Sequence, residues 1–139
     1  MRHRLATTAD LTLLARWNHE LIEDERAPNP MSVAELERRM HGWITNGQYA
    51  ASVFEIDGTP VAYALYRELV GEIFLRHFYV SRGHRRTGIG ERALRVLEHE
   101  VWADTDRIVL EVLVHNQRGL AFWRAMGFGE LSLTMEKRN

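Results

Sequence analysis

The sequence predicts one mixed α/β domain, a sandwich with helices on both faces of a central sheet, in the order β-α-α-β-β-β-α-β-α-β. Three features carry that prediction: two helix-start signatures in the first quarter, a switch to strand-like runs around Asp57-Gly58, and a later strand–glycine loop–helix unit. With 139 residues the chain can build one core but not two, so a single domain spans 1–139.

Arg2 to Ala6 reads as a first strand. Thr7 then offers an N-cap with Asp10 three residues on, and Leu11, Leu14, Ala15, Asn18, Leu21 and Ile22 follow helical periodicity. Ala27-Pro28-Asn29-Pro30 ends that helix, because proline disfavours helical geometry in the residue before it. Ser32 and Glu35 form a capping box for a second helix, whose apolar face uses Val33, Leu36, Met40 and Trp43 and which stops at Asn46-Gly47. Tyr49 to Ile56 and Pro60 to Leu69 make a hairpin across Asp57-Gly58. Gly71 permits a reversal into a strand over 73–80. The glycine loop leads into a helix from about Gly90 to Asp104, then a strand over 107–114, a helix over 116–126 and a last strand over 129–135.

Composition narrows the function. Hydrophobic residues at 45% and charged residues at 27% are ordinary for a globular domain. A formal net charge of −1 removes bulk attraction to nucleic acid or an anionic membrane, so neither is an expected partner. The absence of cysteine excludes disulfides, thiolate zinc sites and a cysteine nucleophile, and suits a cytoplasmic location. Met1 to Leu5 lacks the apolar run of a signal peptide, and no stretch reaches the ~20 apolar residues of a membrane helix. The seven histidines lack metal-ligand spacing, so no metal is expected; the absence of a Gly-x-Ser-x-Gly elbow argues against a hydrolase.

The chemistry concentrates in Arg82-Gly83-His84-Arg85-Arg86-Thr87-Gly88-Ile89-Gly90. A helix start leaves backbone N–H groups unpaired and favours negative charge, glycines let a ligand approach them, and Arg85 and Arg86 suit phosphate. The loop reads as a phosphate seat, with a plain chain reversal as the alternative. Its spacing matches neither the dinucleotide nor the nucleoside-triphosphate fingerprint, which points to a pyrophosphate recognised differently.

Two motifs resemble the GNAT superfamily of acetyl-CoA-dependent N-acetyltransferases. One is Arg85-x-x-Gly88-x-Gly90 directly after Phe78-Tyr79-Val80; the other is Leu110-Glu111-Val112, then Asn116, Phe122-Trp123 and Gly127-Phe128. The resemblance implies a GNAT-like fold and an acetyl-CoA donor without metal. It implies that Phe78, Tyr79 and Val80 present backbone groups to the pantetheine arm, that the amides from Arg85 through Arg86, Thr87, Gly88 and Ile89 to Gly90 hold the pyrophosphate, and that Asn116 bonds the cofactor's amide portion or the chain around it. The strands 73–80 and 107–114 would splay so that the thioester lies between them.

Glu111 matches a position that serves as general base in some members; the alternative is an ion pair with Arg76 or Arg107. A carboxylate on an apolar strand would be desolvated there. Trp123 stands where the family usually has a tyrosine beside the cofactor, and an indole N–H cannot protonate the leaving thiolate. Arg76 stands where many members have a carboxylate. Counting in twos from Val80 puts Phe78, Arg76 and Phe74 on one face, and a guanidinium there suits a substrate carboxylate. Gly119 sits where alanine is more usual, at a helix cost of ~1 kcal/mol.

Glu20, Glu23, Asp24 and Glu25 would overhang the acceptor site and attract a cationic amine, or simply form a solvated helix end. Trp43 fits the helix core as well as the site border. His77 or His115 near the splayed strands offers a proton carrier. The expected activity is acetyl transfer to a primary amine of a small molecule or peptide. A non-catalytic acyl-CoA sensor is the rival, and the fold's exposed edge strands leave room for a homodimer.

Overall fold

Local signals start the first two helices of the computed structural model, which describes residues 1–139. After β1 (Arg2–Leu5), the Thr7 hydroxyl accepts from the Ala9 N–H at 3.3 Å and the Asp10 carboxylate accepts from the Thr7 N–H at 2.8 Å. This capping box opens a 3₁₀ turn that runs into α1 (Leu11–Glu25). The second box, Ser32 with Glu35, starts α2 (Val33–Thr45). The hairpin follows as β2 (Ala50–Ile56) and β3 (Thr59–Leu69), with Asp57 and Gly58 both at positive φ as the tight turn requires. Then come β4 (Glu72–Val80), α3 (Ile89–Val96) prolonged by a π-helical turn over Leu97–Val101, β5 (Arg107–Val109) and α4 (Gln117–Ala125).

The five strands lie in sequence order in one sheet, antiparallel except for the β4–β5 pair. One face buries Leu11, Leu14, Trp17 and Met40 of α1 and α2 against Tyr63, Leu65 and Tyr79. The other buries Ile89, Ala93, Leu94 and Leu97 of the α3 helix against Ala62, Ala64, Tyr66, Ile73 and Leu75, with Trp123 and Met126 of α4 at its margin. Helices on both faces of a mixed sheet are what the sequence predicts.

Three expectations are corrected. The strand expected over 107–114 pairs only at 107–109, because β5 leaves β4 after the Phe74–Val109 pair. The strand expected over 129–135 does not form: Leu131, Leu133 and Met135 are 70%, 67% and 84% exposed. Period-two alternation produces a strand only where one face finds a core to bury against, and this segment has none. The third concerns the faces of β4. Leu65 pairs with His77 and Tyr66 with Leu75, so Arg76 is the extra residue of a β-bulge. The bulge shifts the alternation, so Phe74 packs against the α1–α2 core and Phe78 against the α3 core. Phe78, Arg76 and Phe74 therefore do not share a face.

Candidate active site

The departure of β5 opens a wedge beside β4. From Arg76 to Val80, β4 stays paired with β3 on one edge, while its other edge has no strand partner. The loop from Ser81 to Gly88 stands above this edge. Arg86 and Gly88 both take positive φ, 63° and 80°, which turns the chain sharply into α3. The first backbone bond of that helix runs from the Arg92 N–H to the Gly88 carbonyl at 3.1 Å. The N–H groups of Ile89, Gly90 and Glu91 precede it and have no acceptor within the helix. Gly90 has a second constraint, since a Cβ there would lie 3.3 Å from the Phe122 ring.

The arginines of the loop divide their roles. Arg85 turns inward: its Nε donates to the Val80 carbonyl at 3.0 Å, its Nη2 to Asp24 at 2.6 Å, and its guanidinium lies 5.2 Å from the centre of the Tyr79 ring. Arg82 meets Asp24 at 3.0 Å and Glu23 at 3.4 Å. Arg86 and Thr87 stay exposed. Glu23 and Asp24 thus pair with Arg82 and Arg85 of the loop, rather than standing free for a cationic acceptor, while Arg86 keeps no ion pair. Glu20 accepts from the Tyr79 hydroxyl, whose pKa is raised by burial and by that bond. Glu25 differs: half-buried and outside any ion pair, its carboxyl is pushed up by burial and by the Asp24 charge.

On the β5 side, Ile108 and Leu110 pack on the α3 core while Glu111 is exposed. The desolvation expected from its apolar strand is absent, because the strand has left the sheet by that point. The alternative pairings are absent too: Arg107 meets Glu72 at 2.6 Å and Arg76 lies against aromatic rings. Asn116 caps α4, its Oδ1 accepting from the Gly119 N–H at 3.0 Å. That explains the glycine at 119, since a Cβ there would come within 2.9 Å of Asn116 Cγ. Trp123 packs edge-on against Phe78, Phe122 and Phe128 with ring centres 5.4, 4.9 and 5.2 Å away.

The two histidines proposed as proton carriers are otherwise engaged. His77 is buried, shares a 3.1 Å hydrogen bond between Nδ1 and Tyr63 Oη, and is pulled down to about 3 by burial and by Arg76 and Arg39. It stays neutral near pH 7 and takes up no second proton there. His115 is exposed, with Nε2 2.9 Å from the Glu25 carbonyl, and ties the end of α1 to the loop after β5. Sequence reasoning missed Arg39 and Tyr49, which meet Trp43 and Arg76 on the α2 side; Arg39-x-x-x-Trp43 is a same-face helix pair that could have flagged them. A cavity of about 620 Å³ opens elsewhere, near Arg4, Ser52 and Glu100. No three His, Asp or Glu side chains converge as a metal site, and no helix is long and apolar enough to cross a membrane.

A parallel strand pair that parts beside a glycine loop and a bare helix start is the arrangement that the resemblance to the acetyltransferases implies. The chain belongs to the acetyltransferase (GNAT) family, whose model matches residues 14–128. Solved structures agree in fold. A mutant BH1408 protein from Bacillus halodurans superposes with a TM-score of 0.82 at 20% identity, covering 100% of this chain and 99% of that one. An aminoglycoside antibiotic 6'-N-acetyltransferase from Acinetobacter haemolyticus gives 0.76 at 20% identity, covering 100% and 98%. A predicted acetyltransferase from Clostridium acetobutylicum, solved with acetyl-CoA, gives 0.73 at 18% identity, covering 99% and 95%. No curated protein matches in sequence.

Proposed function

We propose that this chain moves an acetyl group from acetyl-CoA to a primary amine of a small molecule or peptide, by direct attack and in the cytoplasm. The observation that carries this reading is the wedge: a backbone edge of β4 from Arg76 to Val80 has no strand partner, its Val80 carbonyl held by Arg85, and the free amides of Ile89, Gly90 and Glu91 follow it. An extended pantetheine arm fits such an edge as an added strand does, with the pyrophosphate at the helix start. The neighbour from Clostridium acetobutylicum holds acetyl-CoA and the one from Acinetobacter haemolyticus acetylates an amine, which supports both halves of the reading.

In the proposed reaction the amine nitrogen attacks the thioester carbonyl, the N–C bond forms, the C–S bond breaks and the thiolate leaves. Glu111, exposed and unpaired, accepts the amine's proton through water. Backbone donors near Val80 polarise the carbonyl. Trp123 takes no proton role and instead walls the arm with Phe78 and Phe122. Water protonates the thiolate.

The seat is tested by calorimetry. Gly88→Glu puts a carboxylate among the phosphate donors; its Cβ would meet open space, and the positive φ of 80° adds a local strain of about 1 to 2 kcal/mol that a stable domain absorbs. Acetyl-CoA is expected to bind the wild-type chain and not this variant, with circular dichroism unchanged. Undiminished affinity in the folded variant removes the loop from the site.

A further inference from the structure

Three guanidinium groups gather around two aromatic rings between α2 and the β4 bulge, with no carboxylate bonded to any of them. Arg39 and Arg76 lie over the same Trp43 ring, with their Cζ atoms 4.5 Å and 4.7 Å from its centre. Arg76 also reaches the Tyr49 hydroxyl at 3.5 Å, and Arg67 lies 5.9 Å from the Tyr49 ring centre. None of the three belongs to the chain's ion pairs. The Nε of Arg39 is buried and has no hydrogen-bond partner. The loop arginines Arg82 and Arg85 show the contrast, each held by an acid from α1.

Like charges collected without a counter-ion repel one another, and an orphaned buried donor is costly. Burial and the Arg76 charge both hold the pKa of Arg39 down. Stacking on Trp43 and Tyr49 keeps the guanidiniums in place but leaves their in-plane N–H groups free. An external anion would compensate the charge. The location gives that anion a purpose. Arg76 is the bulge residue, two positions past Phe74, the last β4 residue paired with β5, so the cluster stands at the start of the wedge.

We propose that Arg39 and Arg76 form an acceptor subsite for a carboxylate, so that the substrate is an amine that also carries a carboxylate, such as an amino acid. This deepens the acetyltransferase reading and rests on it. Planar, two-oxygen carboxylates match the guanidinium fork, and the pair acts by positioning the amine, taking no part in bond making.

Initial rates with amino acids and their carboxamides, which share one amine, test the assignment. Wild type is expected to prefer the carboxylate by roughly tenfold or more in kcat/KM, the scale of a charge-assisted hydrogen bond. Arg76→Gln and Arg39→Gln should each bring that ratio towards unity while the KM for acetyl-CoA stays unchanged. Equal rates for acid and amide in wild type, a ratio that survives both variants, or a stronger preference for phosphoethanolamine overturns the proposal. A second readout is independent of turnover. N-acetyl amino acids titrated into the CoA-bound protein, followed by NMR, should bind where their carboxamides do not, and Arg76→Gln should abolish the difference. Binding of that kind without any transfer would sustain the subsite while refuting the acetyltransferase reading. Failure of the N-acetyl amino acids to bind, or equal binding of both forms, would refute the subsite itself.

Discussion

His77 makes the fold sensitive to acid. It is 7% exposed, bonded to Tyr63 and flanked by Arg39 and Arg76, so its pKa of about 3 lies well below the ordinary value of 6.5. Because the folded value is the lower one, the unfolded chain binds the extra proton, and stability falls as pH drops from 6.5 towards 3. Urea unfolding should show a loss of about 2 to 3 kcal/mol between pH 7 and 4.5 that His77→Gln largely removes. An equal acid loss in both proteins would assign the effect to other groups. Glu111 makes a kinetic prediction. Glu111→Gln should lower kcat by about 100-fold or more with acetyl-CoA affinity retained, the typical contribution of a general base. Unchanged turnover removes Glu111 from the chemistry.

Secondary-structure elements were legible where their signals are local. The boxes Thr7–Asp10 and Ser32–Glu35 and the Asp57-Gly58 turn each depend on residues within one turn of chain, and each forms as its sequence predicts. Ser32→Ala should therefore cost about 1 kcal/mol in urea unfolding, and since α2 carries Arg39 and Trp43 the same variant is expected to weaken acceptor selection. A change below about 0.3 kcal/mol would mean the box is dispensable. The bulge at Arg76 and the early end of β5 were not legible, because both depend on which strands pair and where the pairing stops. Gly119 shows how packing reverses a propensity argument. Alanine should stabilise a helix by ~1 kcal/mol, but here its Cβ would displace the Asn116 cap, worth about as much. Gly119→Ala is expected to leave stability nearly unchanged, and a clear gain would show that the cap contributes little.

At the scale of the molecule, the glycine loop and its flanking motifs pointed to the family, and the family model and fold bear that out. What escaped sequence reasoning was how charge is distributed across the site. The acidic end of α1 pairs with Arg82 and Arg85 of the glycine loop, and a cluster of guanidiniums without ion pairs lies on the α2–β4 side. Residues 58 or more positions apart make the first arrangement, and no local pattern encodes it. Acetyl-CoA held along β4 should also stabilise the whole domain, by about 2.7 kcal/mol at a hundredfold excess over Kd, which a thermal melt reads as a rise of several degrees. The most direct test is stoichiometric: thiol released from acetyl-CoA measured beside the mass of the product across a panel of amines. Thiol release that requires an amine, with one N-acetylated product per thiol, is the predicted result. Tight acetyl-CoA binding with no acetylated product from any amine would contradict it and make the chain an acyl-CoA sensor.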